Sequence, residues 1–312
     1  MGPFARILRC APMVALAAMG CGTSREPAVH VVGSTSILPF AELLAEEFAR
    51  REPGIHVEVQ GGGSTHGLLA VASGIAEIGA CSRSLHRGDP AEAQFTPVPI
   101  ARDAIALVVH PSNPLSGLSR AQLRAVFSGQ AANWRDVGGA DAPIRVITRE
   151  EGSGTLDAFL AEVMGGVRVT PRALVQESNG AMKELVKQDP CAIGFMSMGL
   201  VGRGLKALAL DGAVPSASGA ERGGYPLVRP FLFVVKGTPS GAARRFLEFA
   251  RSPEAQQLIE QEKMRNAASV ARNGGIRPDF AVPGLWGQPG HGRERGGLDL
   301  GAAVCRDARG GV

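Results

Sequence analysis

The chain has 312 residues, 45% of them apolar, which is enough for one large or two medium domains with substantial cores. A net charge of only +4, with basic residues interspersed among acidic ones, argues against a nucleic-acid face. Aromatic residues make up only 5% of the chain while glycine numbers 42, a balance that suits tight turns and close backbone approaches better than an aromatic ligand cage.

At the N-terminus, Arg6 and Arg9 precede a short apolar run, Ala11 to Met19, followed by Gly20-Cys21. The run is too short for a permanent membrane span and reads as an export signal. Small residues ahead of a cysteine suggest a bacterial lipoprotein signal over residues 1–21, with Cys21 as the lipidated first residue. Cleavage near Ala18 is the alternative, because Ala18-Met19 departs from the usual lipobox. Either route places the mature protein outside the cytoplasm, in the periplasm or at the cell surface. Residues 22–28 read as a tether.

An α/β rhythm follows. A strand over Val29–Val32 leads through Gly33 to a helix opened by Pro39. Ile55, Val57 and Val59 alternate with polar residues as a half-buried strand. A helix from His66 to Ser73 precedes a strand at Glu77–Ala80, and Ala104–Val109 is a continuous apolar strand. Ser119 and Gln122 form a capping-box pattern. A strand at Ile144–Thr148 is followed by the turn Gly152–Thr155 and a helix to Met164. A helix ending at Lys187, a strand at Ala192–Met196, a strand at Leu227–Val235 interrupted by Pro230, and helices near 240–250 and 253–263 complete the pattern. From Asn273 onward the Gly/Arg/Pro-rich tail, 273–312, has no periodic apolar face and reads as disordered. Cys81 and Cys191 adjoin strands and are expected as buried packing residues; no cysteine has metal-ligand spacing.

Three stretches place Ser, Thr and Gly just before a helix: GSTSILPF (33–40), GGGSTHG (61–67) and REEGSGTLDAF (149–159). Each offers unpaired backbone N–H groups, hydroxyls and the positive end of a helix dipole, so three converging ends plus Arg149 would make a socket for a small tetrahedral oxyanion. GGGST lacks the Gly-Lys-Ser/Thr of a P-loop. EGSGT lacks the G-x-S-x-G elbow, and no histidine stands in a triad context, which argues against a hydrolase using Ser153. No metal or cofactor motif is present, and the chain is not read as an enzyme.

These motifs, taken with EIGACSRSL, LVVHPSNP, LRAVFSGQAANWRDVGG, ESNGAMKELV, AIGFMSMG and GGYPLVRPFLFVVKG in this order, resemble the phosphate-specific substrate-binding proteins of bacterial ABC transporters, from Val29 to Lys263. The resemblance implies an α/β, two-lobed periplasmic binding protein of type II, the Venus-flytrap form, with two crossing segments at the hinge. Crossings near His110–Pro114 and Pro226–Pro230 would divide it into lobe one, 29–110 plus 231–272, and lobe two, 111–230. It implies a monomer that captures inorganic phosphate and presents it to ABC permease subunits in the membrane, without a cofactor or nucleic acid. Ligand contacts carry over to Thr35, Ser36, Ser64, Thr65, Arg149, Ser153, Gly154 and Thr155, with Ser82 and Arg83 at the end of the G-A-C strand. Glu151 matches the acid that pairs with the arginine, and Asp157 supports the helix end. Well-known members carry an aspartate where Ser82 stands, as acceptor for the proton of hydrogen phosphate. Here that acceptor is Glu151, Asp157 or a hydroxyl, or selectivity against sulfate, molybdate and similar oxyanions is weaker.

Overall fold

The structure, a computed structural model, describes residues 28–216 and 224–271, the side chains of 266–271 excepted. The signal segment 1–21 and the tail 273–312 lie outside the described residues, as does all of the tether except Ala28, which begins the first strand.

In chain order the elements are β1 (Ala28–Gly33), α1 (Leu38–Arg51), β2 (His56–Gly61), α2 (Ser64–Ala72), β3 (Ile78–Cys81), α3 (Pro90–Ala93), β4 (Phe95–Val109), β5 (Gly117–Leu118), α4 (Arg120–Ser128), β6 (Arg145–Arg149), α5 (Gly154–Phe159), β7 (Leu174–Gln176), α6 (Asn179–Gln188), β8 (Ala192–Ser197), β9 (Lys206–Leu210) and β10 (Val228–Lys236). Two further helices, Gly241–Ala250 and Pro253–Ala271, close the described chain. The strands join in the order β2-β1-β3-β10-β4-β8-β6-β7, with β9 pairing β4 and β5.

Two lobes share this path. In the first, β1, β2 and β3 are parallel and β10 runs antiparallel beside β3. Side chains alternate across this sheet, so its two faces bury different sets. Val29, Val31, Ile78, Phe231 and Phe233 pack with α1 and the two last helices. Val32, Cys81, Leu232 and Val234 pack on the other face with Leu68 and Val71 of α2. The second lobe is built on β8, β6 and the far half of β4. Its core holds Phe127, Phe159 and Phe195 as a mutually contacting trio with Trp134 and Leu107.

Strand β4 spans both lobes. Phe95–Ala104 pairs with β10, and Ile105–Val109 pairs with β8 and β9. The passage therefore lies at Asp103–Ile105, earlier than the His110–Pro114 crossing expected from sequence, and Ile105–Val109 belong to the second core rather than to lobe one. The first half of β4, which contains Pro97 and Pro99, was not foreseen. They are tolerated because that half pairs on one side only, leaving the absent N–H groups at an edge. The return passage, from Leu227 into Val228–Phe231 of β10, carries the chain from the second core back to the first. Cys191, expected as a packing thiol, is buried and disulfide-bonded, whereas Cys81 is a free buried thiol. Among the described residues no helix is long and apolar enough to cross a membrane.

Candidate functional site

Parallel strands deliver their following loops to one sheet edge, so the turns after β1, β2 and β3 come together. The turn after β6 meets them from the other lobe. Phe159, the last residue of α5, stacks on Phe195 with centroids 4.2 Å apart and planes 3° from parallel, which anchors that helix in the second core. Its first turn is thereby pressed against lobe one. The Thr65 N–H donates to Gly152 O across the cleft at 3.1 Å. A Cβ at Gly154 would overlap Ser64 Oγ and stand 2.7 Å from Ser82 Oγ, so only glycine permits this approach.

Five hydroxyls gather here, those of Ser34, Ser36, Ser64, Ser82 and Thr155. Ser82 Oγ accepts from Ser34 Oγ at 2.8 Å, and Ser64 Oγ accepts the Ser82 N–H at 3.0 Å. Ser36 Oγ and Thr155 Oγ1, from opposite lobes, are 3.1 Å apart. Ser36, Ser64, Ser82, Ser153 and Thr155 are all buried. Ser153 caps α5, its Oγ accepting the Leu156 N–H at 3.4 Å.

Arg149 ends β6 facing this cluster. Its Nε and Nη2 bind the Glu150 carboxylate at 2.8 and 2.9 Å; Nε also donates to Gln176 O, and Nη2 to Thr35 Oγ1 at 3.1 Å. The Nη1 group is buried with no hydrogen-bond partner, one of two such side-chain atoms among the described residues, the other being the neighbouring Thr148 Oγ1. A fixed guanidinium with one unspent NH2 arm beside hydroxyls can hold an anion.

Two sequence expectations are corrected. The acid paired with Arg149 is Glu150, not Glu151: the positive-φ turn at Gly152 (φ +85°) folds back so that Glu150 covers the guanidinium, while Glu151 is exposed. Arg83 does not face the hydroxyl cluster. Its Nη1 and Nη2 bind Glu92 at 3.0 and 2.6 Å, and its Nε binds Asp157 at 2.9 Å, an ion pair that joins the lobes beside the cleft. Asp157 thus braces the lobes through Arg83.

Sequence reasoning missed Arg229, Asp103 and Asn179. Asp103 on β4 lies opposite Arg229 on β10 where both strands pass between the lobes. Arg229 binds Asp103 Oδ2 through Nε at 3.1 Å and Nη2 at 3.0 Å, and both side chains are almost fully buried. Arg229 also donates to Ser36 Oγ (2.9 Å), Ser82 Oγ (3.1 Å) and Thr155 Oγ1 (2.6 Å). Burial pushes the Asp103 carboxyl up from its ordinary range, against the pull of Arg229. Asn179 donates to Thr35 Oγ1 at 3.3 Å and Ser36 Oγ at 3.0 Å. The available signal was one charged residue inside each apolar strand run, RDAIALVV and LVRPFLFVV, because a buried charge is rarely left unpaired.

Two lobes joined by crossing strands, closing on a donor-lined cleft, define a substrate-binding protein of the periplasmic type. The chain belongs to the PBP superfamily, whose domain it matches across residues 22–254. It is 28% identical over 231 residues to the phosphate-binding protein PstS of Bacillus subtilis, covering 73% of this chain and 77% of that one. Among solved structures it is similar to a phosphate ABC transporter substrate-binding protein with bound phosphate from Clostridium perfringens. That match has 34% identity and a TM-score of 0.72, covering 76% of this chain and 98% of the other. An ABC-type phosphate transport receptor from Vibrio cholerae matches at 36% identity and a TM-score of 0.64, with 75% and 98% covered.

Proposed function

We propose that this protein captures inorganic phosphate outside the cytoplasm for an ABC transporter. The observation that carries the reading is the unspent Nη1 of Arg149, buried in the cleft while every other arm of that guanidinium is held. The names of the relatives supply the ligand and the transporter. The neutral donors are Thr35, Ser36, Ser64, Ser82, Thr155 and the backbone amide of Gly154, the Ser153 N–H being held by Glu150 O at 3.2 Å. They would solvate the ion while Arg149 offsets its charge, and no bond-making step is required. The two lobes, meeting at 103–105 and 227–231, would close over the anion and present that closed shape to permease subunits, each binding protein acting as a monomer. Calorimetric titration of the anion-stripped protein tests this: saturable one-to-one phosphate binding is expected, and a folded sample that binds no phosphate refutes it.

We also propose that Cys21 carries a lipid that holds the protein at the membrane surface; the small residues before it support this. Phase partitioning of the Cys21→Ser protein made in its bacterial host checks the point: transfer from the detergent to the aqueous phase is expected, and wild-type partitioning without transfer refutes the anchor.

A further inference from the structure

Behind the wall that carries Arg149, the second lobe holds a cavity of about 420 Å³, within the range of about 300–1,000 Å³ usual for small-molecule sites. Its sides are apolar: Leu156 of α5 and Leu160 one turn on, Val167 and Val169 of the loop that follows, and Val175 of β7. The loop is fixed at both ends, the Val167 N–H donating to Met164 O at 3.1 Å and the Thr170 N–H to Phe127 O at 2.8 Å. Strand β7 runs parallel to β6, and Thr148 is the register partner of Val175. Register partners point to the same face of a sheet, and neighbours along a strand point to opposite faces. Thr148 therefore stands with Val175 in this cavity, while the Arg149 guanidinium turns to the anion cleft.

Three features of this cavity have no part in capturing a small anion in the cleft. Thr148 is 6% exposed, and its Oγ1 is buried without a hydrogen-bond partner. Leaving a buried hydroxyl unpaired is costly, and a ligand oxygen placed there removes the cost. Val167 and Val175, 40% and 58% exposed, are large apolar side chains left open to solvent at the same opening. Arg168, exposed in the same wall, pairs with no acid among the described residues, and no acidic residue lines the cavity. Apolar sides, one free hydroxyl and an uncompensated positive charge call for an amphipathic anion. We infer that this cavity is a second ligand site, for a carboxylate carrying an apolar chain. The chain lies against Leu156, Leu160, Val169 and Val175, and the carboxylate accepts a hydrogen bond from the Thr148 hydroxyl and is attracted by Arg168. Inorganic phosphate has no apolar part and gains nothing from these walls, so the inference stands apart from the ligand of the cleft.

The test is calorimetric titration of the protein with hexanoate, octanoate and decanoate, in phosphate buffer so that the cleft is occupied. One-to-one binding is expected, tightening about fourfold for each added methylene as the chain is buried. Octanoate is expected to bind more tightly than 1-octanol, which has the same chain length without the charge. Thr148→Val keeps the side-chain shape and removes the hydroxyl, so it should weaken octanoate about tenfold. Val175→Asp sets a like charge at the opening and should weaken octanoate at least as much. Arg168→Gln should weaken it about two- to fivefold, an effect that added salt removes. Melting curves establish that each variant is folded, and Val175→Asp, a change at an exposed position, decides if Thr148→Val does not fold. A folded wild-type protein with no saturable carboxylate binding overturns the inference. So does an affinity independent of chain length, 1-octanol binding as tightly as octanoate, or wild-type octanoate affinity in both folded Thr148→Val and folded Val175→Asp. Phosphate titration of the anion-stripped protein is a separate measurement, and its failure would leave these outcomes as they are.

Discussion

Replacing Arg149 by alanine tests how the anion is held. Nε and Nη2 are occupied by Glu150, Gln176 O and Thr35, so the ligand can gain bonds only from Nη1, which carries two N–H groups. One charge-assisted hydrogen bond contributes about 1.5–3 kcal/mol, or roughly 10- to 150-fold in Kd. Alanine also strips Glu150 of its partner and leaves a carboxylate beside the anion, so the single replacement should cost more than this range. Removing both charges, as Arg149→Met with Glu150→Gln, should bring the loss back to that of the one or two Nη1 bonds. Calorimetry gives the Kd values, and the rise in melting temperature with added phosphate gives an independent reading, because a ligand of the folded state stabilises it. A folded Arg149→Ala protein with wild-type affinity would remove Arg149 from the site. A double variant that binds worse than the single one would refute the role given to Glu150.

Gly154→Ala should hold the lobes apart, because its Cβ would overlap Ser64 Oγ and both Ser64 and Ser82 are fully buried with no room to yield. Overpacking of this kind costs about 1–3 kcal/mol, so phosphate affinity should fall about tenfold or more. Small-angle scattering should lose the compaction that phosphate induces; retained compaction counts against the close approach. Glu92 supplies a pH signature. Burial raises its carboxyl pKa, but the Arg83 guanidinium and the His86 N–H more than offset this and hold it below its ordinary value. A carboxylate depressed in the folded state stabilises above its unfolded pKa, and that contribution disappears as pH falls through the folded value. The melting-temperature gap between wild type and Glu92→Gln should therefore be full near neutrality and close in acid. A gap that is constant with pH would show that Glu92 contributes packing alone.

Local rules made much of the fold legible. The capping box at Ser119 and Gln122 forms as the spacing requires, and the Ser/Thr/Gly clusters after β1, β2 and β6 do open helices. Arg149 was legible for the same reason: a charge at the end of an apolar strand, next to a glycine turn, has few places to point. The acid beside it was not, since choosing Glu150 over Glu151 depends on how the turn at Gly152 folds. Arg83 was misread because its acidic partners, Glu92 and Asp157, lie 9 and 74 residues away and only packing brings them to it.

What the sequence determined by itself was the order of elements and the presence of several donor-rich helix starts, because capping, turn chemistry and periodicity act over a few neighbouring residues. Only the tertiary structure decided what the donors face. Asp103 and Arg229 are 126 residues apart and meet because β4 and β10 pair antiparallel at the passage between the lobes. That pairing also sets Arg229 among the cleft hydroxyls, donating to Ser36, Ser82 and Thr155, contacts that no local rule places because all three lie at least 74 residues away in the chain.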